Sequence, residues 1–312
     1  MIRKILKWTG IVLLVLVGGT SLVTISRQHL KYEAPYPNIK ASTDSAIIAK
    51  GKHLVTGPAH CMDCHSPIRN KDSVLRLGQE VPLIGGNTFD LPFGTFYTRN
   101  LTPDSTTGIG NMTDAEIARV LRYSVKKNGE AVLPFMPFQN MSDEDLTAII
   151  SYLRSQKPVH NPVPDHSYNP IGKLIKAFLI KPAGPTESIA VAVSEDTTVA
   201  YGRHMVMAVA NCNECHTRRD AIGNYVGEPL AGGTKFKEKG KPTLIAPNLT
   251  PDTTSRIYKW TQEDFIQRFR TGRTISYSHM PWESFGRMSD TELKAIYKYL
   301  QTLKPVKTVL EK

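Results

Sequence analysis

The chain has 312 residues with ordinary apolar and charged fractions, 40% and 21%, which excludes a disordered or fibrous protein and leaves room for two domains of about 100–150 residues. Its formal net charge is +11, but the lysines and arginines are spread out. With no basic cluster interleaved with aromatics and no nucleic-acid-binding motif, the charge reads as a solvated surface, and no nucleic-acid partner is expected.

At the N-terminus Arg3, Lys4 and Lys7 precede an uncharged, largely apolar run from Trp8 to Ser26, closed by Arg27. Its length matches the about 17–25 residues that cross a bilayer as a helix. The basic flank should stay on the cytoplasmic side and send the rest outward. A cleaved signal peptide is the competing reading; the length of the run and the lack of an A-x-A site favour an uncleaved anchor over residues 1–30.

Beyond the anchor the chain is written twice. "GKHLV" (51–55) leads into "CMDCH" (61–65), and "GRHMV" (202–206) into "CNECH" (212–216). "PLIGG" (82–86) matches "PLAGG" (229–233), and "NLTPD" (100–104) recurs at 248–252. "MPF" (136–138) parallels "MPW" (280–282), "SDEDL" (142–146) parallels "SDTEL" (289–293), and "YLRSQKPV" (152–159) parallels "YLQTLKPV" (299–306). The offsets stay between 144 and 151, which makes two tandem units of one fold, residues 45–160 and 196–308.

Each unit should be helical. A first helix enters the cysteine motif. A Gly-, Pro- and Thr-rich loop follows, then a middle helix capped at Thr113 or Thr261 and a last helix starting at Ser142 or Ser289. Leu146, Ile149, Ile150 and Leu153 recur at one-face spacing on the last helix, as do Leu293, Ile296, Tyr297 and Leu300. The linker, 161–195, contains "IGKLIKAFLIK" (171–181), expected as a short helix packed between domains or lying on a membrane or partner.

The four cysteines fall in two C-x-x-C-H motifs. Two thiols at this spacing reach the two vinyl groups of a haem while the next residue offers its imidazole to the iron. Cys61, Cys64 and Cys212, Cys215 are thus candidate thioether anchors, and His65 and His216 candidate iron ligands. A second axial ligand should recur downstream, and Met136 and Met280 do, each before a proline. Met62, Met112, Met141, Met205, Met207 and Met288 read as core filler. His53 and His204 also recur, but on the entering helix, where packing or hydrogen bonding is the better expectation. His60, His160 and His166 have no repeated partner and read as surface residues. Asn100 and Asn248, as well as Arg122 and Arg270, are weaker candidates for a propionate, against a turn asparagine and a solvated helix face. The alternative of four thiolates around one zinc leaves the histidine and Met-Pro repeats unexplained.

The pattern C-x-x-C-H … N-L-T-P-D … M-P … D-L … Y-L … P-V, over 47–159 and 198–306, resembles the class I c-type cytochromes. It is most like the membrane-associated cytochrome subunits of periplasmic alcohol, aldehyde and gluconate dehydrogenases. Those subunits often carry three haem domains; this chain has two. The resemblance implies an all-α architecture of two tandem cytochrome c domains, each wrapped around a covalent haem c. It implies a dihaem electron-transfer protein rather than an enzyme, held by one helix in a bacterial cytoplasmic membrane with its haem domains in the periplasm. The donor would be a membrane-associated or periplasmic dehydrogenase, and the acceptor a downstream cytochrome or oxidase. A dihaem peroxidase, with one open iron position, is the alternative.

Overall fold

The computed structural model describes residues 1–220 and 223–308. The apolar N-terminal run forms α1 (Ile2–Arg27), one 26-residue helix whose side chains, Leu14 and Leu22 among them, are mostly exposed. It is long and apolar enough to cross a membrane. The first unit follows with α2 (Ser45–Thr56), α3 (Cys61–His65), α4 (Lys71–Arg76), the hairpin β1 (Thr88–Leu91) and β2 (Gly94–Tyr97), α5 (Asp114–Tyr123) and α6 (Asp143–Ser155). The connecting segment supplies β3 (Ser167–Tyr168) and α7 (Pro170–Phe178). The second unit contains α8 (Val199–His204), a wider π-type turn over Met205–Val209, α9 (Asn213–His216), β4 (Lys235–Phe236), β5 (Leu244–Ile245), α10 (Gln262–Thr271), α11 (Trp282–Phe285) and α12 (Asp290–Gln301).

Helix starts follow their caps. The Thr113 hydroxyl accepts from the Glu116 amide while Glu116 returns to the Thr113 amide, and Thr261 with Asp264 and Ser289 with Glu292 do the same. Such caps satisfy amides that the helix itself leaves bare. Ser142 caps the Asp145 amide, whereas the Asp145 carboxylate is turned to His204 and Lys50.

In each unit the first and last helices cross at backbone contact. A β-carbon on Gly51 would lie 1.9 Å from the Ala148 carbonyl oxygen, and one on Gly202 would lie 1.9 Å from that of Ala295. Only hydrogen fits at either crossing. Around them Leu146, Ile149, Ile150 and Leu153 are buried, as are Leu293, Ile296 and Leu300, with Tyr297 half-buried. Met62, Met141, Met205 and Met288 are buried core, and Met112 and Met207 pack on it.

The protein is mostly helical, with two small antiparallel ribbons in the loops after the motifs: β1–β2–β3, and β4–β5. The first forms around "TFDLPFGTFY", which is rich in Thr and aromatic residues and in which Phe96 alone is fully buried. The helix α7 does not pack between the two units. It lies against the end of α1, with Arg27 Nε donating to the Ala177 carbonyl at 3.1 Å.

The units meet through two reciprocal bridges. His53 on α2 donates to Glu292 at 2.8 Å, and its counterpart His204 on α8 donates to Asp145, the counterpart of Glu292, at 2.6 Å. Three further contacts break this symmetry. Ser284 donates to Asp63 at 2.8 Å, Arg287 reaches Asp72 and the Thr56 carbonyl, and the His60 ring stands edge-on to Phe285 at 5.4 Å. His60 is therefore half-buried at the interface rather than a surface residue. His166 is likewise half-buried, beside Phe96, and burial with the nearby Arg99 pushes it down to about 4. His160 is exposed.

The hydrogen bond to Glu292, acting against burial, raises the His53 pKa above its usual value. A raised basic group stabilises the folded state below its unfolded value, about 6.5, and that contribution is lost as pH rises through the folded value. The Asp145 carboxyl is desolvated by burial, but His204 and Lys50 hold its pKa below the usual range, so its contribution is lost as pH falls through that lowered value. Thermal unfolding of Glu292→Gln should therefore lack part of the wild-type loss of stability above about pH 6.5, while its acid limb is retained. Gly51→Ala and Gly202→Ala should each cost about 1–3 kcal/mol in denaturant unfolding, as overpacked sites do. Gly10→Ala, where nothing lies within 4 Å, should leave that transition unchanged.

Candidate haem sites

The crossing of first and last helices fixes where each entering helix ends, and the cysteine motif begins a few residues later. His60 and its counterpart Asn211 turn the chain through left-handed conformations, φ 40° and 50°, and α3 and α9 then form single helical turns. Within each turn the two thiols and the imidazole share one short stretch of backbone. The four cysteines are unpaired. Burial, with the neighbouring thiol, pushes Cys61 and Cys212 up to about 12, so they are neutral thiols rather than the low-pKa thiolates of a redox dithiol. Among the described residues no three His, Cys, Asp or Glu side chains converge on a point that would hold a bare metal ion, so the four thiols do not make one zinc site.

Each motif histidine is held from behind in the same way. His65 Nδ1 donates to the Arg99 carbonyl at 2.8 Å, and His216 Nδ1 donates to the Pro247 carbonyl at 2.8 Å. With Nδ1 occupied, Nε2 is the nitrogen left to bind a metal. Burial outweighs these bonds and lowers both histidine pKa values, leaving neutral imidazoles, the ligating form. Two neutral thiols beside an imidazole with only Nε2 free is a donor set that fits a covalently attached haem.

The strip that carries the carbonyl behind each histidine is held by Gly86 and Gly233, whose amides donate to the Thr98 and Ala246 carbonyls at 2.9 Å. Gly85 and Gly232 donate their amides to the His65 and His216 carbonyls at 2.8 and 2.6 Å, both with positive φ. A β-carbon at either would meet backbone at 2.5–2.6 Å. Two residues further, Asn87 Nδ2 and Thr234 Oγ1 donate to the Ser66 and Thr217 carbonyls, each 2.9 Å away, just after the histidines. Sequence reasoning assigned these residues no role. The available signal was that a polar residue follows Gly-Gly in both matched blocks.

Asn100 spends its side chain inside the fold. Its amide donates to the Val159 carbonyl and Thr107 Oγ1, and its oxygen accepts from the amide and hydroxyl of Thr102. Asn248 repeats the core of this with Val306 and Thr250. The two repeated strings, N-x-T and K-P-V, thus bind each other. Arg122 is likewise committed: it is buried and donates to the Gln139 and Met141 carbonyls and to Asp143. Arg270 donates to the Gly286 carbonyl and Asp290. Both arginines hold loop carbonyls, Arg122 from a buried position and Arg270 from an exposed one.

What they clamp is the Met-Pro loop. Met136 and Met280 are half-buried and pack on the same apolar core as Cys61 and Cys212. The Met136 carbonyl accepts from Gln139 Nε2 at 3.0 Å. The Met280 loop is held by Arg273, which pairs with Glu283 at 2.6 Å and reaches the Met280 carbonyl, and by Arg268 stacked 3.6 Å from the centre of the Trp282 ring. His53 and His204, the rival repeated histidines, are engaged across the interface by carboxylates.

Comparison with known proteins agrees with this geometry. Residues 48–157 match the cytochrome c family, and residues 199–300 match the family described as cytochrome c oxidase, cbb3-type, subunit III. The cytochrome c subunit of the quinone alcohol dehydrogenase of Gluconacetobacter polyoxogenes is 31% identical over 287 residues, covering 84% of this chain and 57% of that protein. The gluconate 2-dehydrogenase cytochrome c subunit of Pantoea cypripedii is 29% identical, covering 83% and 60%. The fructose dehydrogenase cytochrome subunit of Gluconobacter japonicus is 28% identical, covering 91% and 58%. The chain thus spans a little over half the length of these relatives. Two cytochrome c domains in series, each matched at its own thiol–imidazole turn, imply covalently bound haem c, and the chain belongs to the c-type cytochromes.

Proposed function

We propose that the chain is a dihaem electron carrier, with one haem c on Cys61 and Cys64 and another on Cys212 and Cys215. His65 and Met136 would be the axial ligands of the first, His216 and Met280 those of the second. A bound haem c supplies a reversible one-electron couple. The protein's own part is to hold the imidazole by its Nδ1 bond, to keep the Met-Pro loop in place through Arg122 or Arg270, and to bury the ligands away from water. The observation that carries the reading is that this whole arrangement, including the carbonyl behind the histidine, is built twice from equivalent residues.

A peroxidase would need the two sites to differ at the sixth ligand. Their equivalent Met-Pro loops, each clamped by an equivalent arginine, favour fixed coordination in both and so electron transfer in place of substrate chemistry. The relatives are named as cytochrome subunits of alcohol, gluconate and fructose dehydrogenases, which supports a dehydrogenase as donor; a downstream cytochrome or oxidase would be the acceptor. With Arg3, Lys4 and Lys7 retained in the cytoplasm, α1 would hold both domains on the periplasmic side.

The test is a haem count joined to a redox titration. Denatured wild-type chain should retain two covalent haems and Cys61→Ser/Cys64→Ser one. Met136→His should lower the potential of one step of the titration and leave the other near its wild-type place, since a second imidazole favours Fe(III) relative to a thioether. A wild-type chain with fewer than two covalent haems, or peroxide turnover with a high-spin haem, would overturn the proposal.

A further inference from the structure

The helix α7 carries an apolar stripe that the described residues leave largely exposed. Ile171, Leu174 and Phe178 recur at i, i+3, i+7 and are 61%, 41% and 40% exposed, with Leu179 beyond them 56% exposed. The helix is firmly seated by its other residues. Gly172 and Ala177 are buried, Gly172 lies against the Phe93 carbonyl of the β1–β2 turn, and Lys176 approaches Glu130 at 3.6 Å. Asn169 caps the first turn by accepting from the Gly172 amide at 2.9 Å. A soluble surface seldom leaves such a stripe bare.

Its position says what covers it. The uncharged run of α1, Trp8–Ser26, is 19 residues or about 28 Å long as a helix, close to the roughly 30 Å of bilayer hydrocarbon. Arg27, the first charge after that run, therefore marks the level where α1 leaves the bilayer. Arg27 is the residue that touches α7, donating to the Ala177 carbonyl at 3.1 Å and lying 5.4 Å from the centre of the Phe178 ring. The end of α7 thus sits at the headgroup level. Lys173 and Lys181 are exposed beside the stripe, a charge that suits anionic lipid.

We infer that α7 is an interfacial helix, lying on the outer surface of the membrane that α1 crosses with Ile171, Leu174 and Phe178 inserted among the lipids. This rests on the reading of α1 as a membrane span. The contact would give the first domain a second point of attachment and fix its orientation, where a single helix would leave it free to swivel.

The experiment uses full-length, haem-loaded protein reconstituted into phosphatidylethanolamine/phosphatidylglycerol vesicles. One nitroxide is placed in turn at Leu174→Cys, Lys173→Cys and Leu14→Cys, and its collisions with dissolved oxygen and with an aqueous nickel chelate are measured. The oxygen-to-nickel ratio at position 174 should exceed that at 173 several-fold and approach that at 14. A ratio at 174 no higher than at 173, with position 14 in lipid, overturns the inference alone. A label at 174 shielded from both reagents means that a protein surface covers the stripe, which also overturns it. Aqueous values at both 14 and 174 would defeat the reading of α1 as well.

Discussion

Two backbones in direct contact govern this protein. Where Gly51 meets Ala148, and Gly202 meets Ala295, the first and last helices of a domain approach as closely as peptide planes allow. That contact sets the end of the entering helix, and therefore the place where the two thiols and the imidazole emerge. It also sets the start of the strip after the last helix, where Val159 and Val306 receive the Asn100 and Asn248 amides. Those asparagines lie one residue from the carbonyls, Arg99 and Pro247, that orient the histidines. The chain of dependence runs from a missing β-carbon to the choice of which imidazole nitrogen faces outward.

Much of this could be read in the sequence. Spacing identified the cysteine turns, the cap residues and the buried face of the last helix, because each obeys a local rule of reach or periodicity, and repetition identified the Met-Pro loops. Partnerships between distant residues could not be read. Repetition marked Asn100, Arg122 and His53 as significant, but a repeated residue can face a cofactor, a loop or the other domain. The structure gives Asn100 to a peptide carbonyl, Arg122 to the loop after Met136, and His53 to Glu292 across the interface. The hairpin at 88–97 escaped notice because four-residue strands in a Gly- and Pro-rich loop carry too few alternations to register. The glycine pair that brackets each histidine was visible as a matched string, without any sign of what it touched.

The interface between the domains combines a symmetric and an asymmetric part. The His53–Glu292 and His204–Asp145 bridges relate the halves by an approximate two-fold exchange. The asymmetric part lies nearer the chemistry. Asp63, between the two cysteines of the first motif, accepts from Ser284, which sits on the short helix directly after Met280 and Pro281. The back of one proposed haem site is therefore bonded to the loop that shapes the other, and burial raises the Asp63 pKa, against the hydrogen bond from Ser284.

That bond bears on how the duplication has aged. Two copies of a domain begin as interchangeable modules, and the repeated strings show how little the scaffold has drifted. The position of Asp63 in the second copy is Glu214, and Glu214 is engaged by Arg219 and Tyr225 within its own domain. Replacing the first copy by a second would put a longer carboxylate, Glu for Asp, at the place where Ser284 donates to Asp63. The halves have diverged in use: alike in construction, they spend the same motif position differently, one on the neighbouring domain and one on its own.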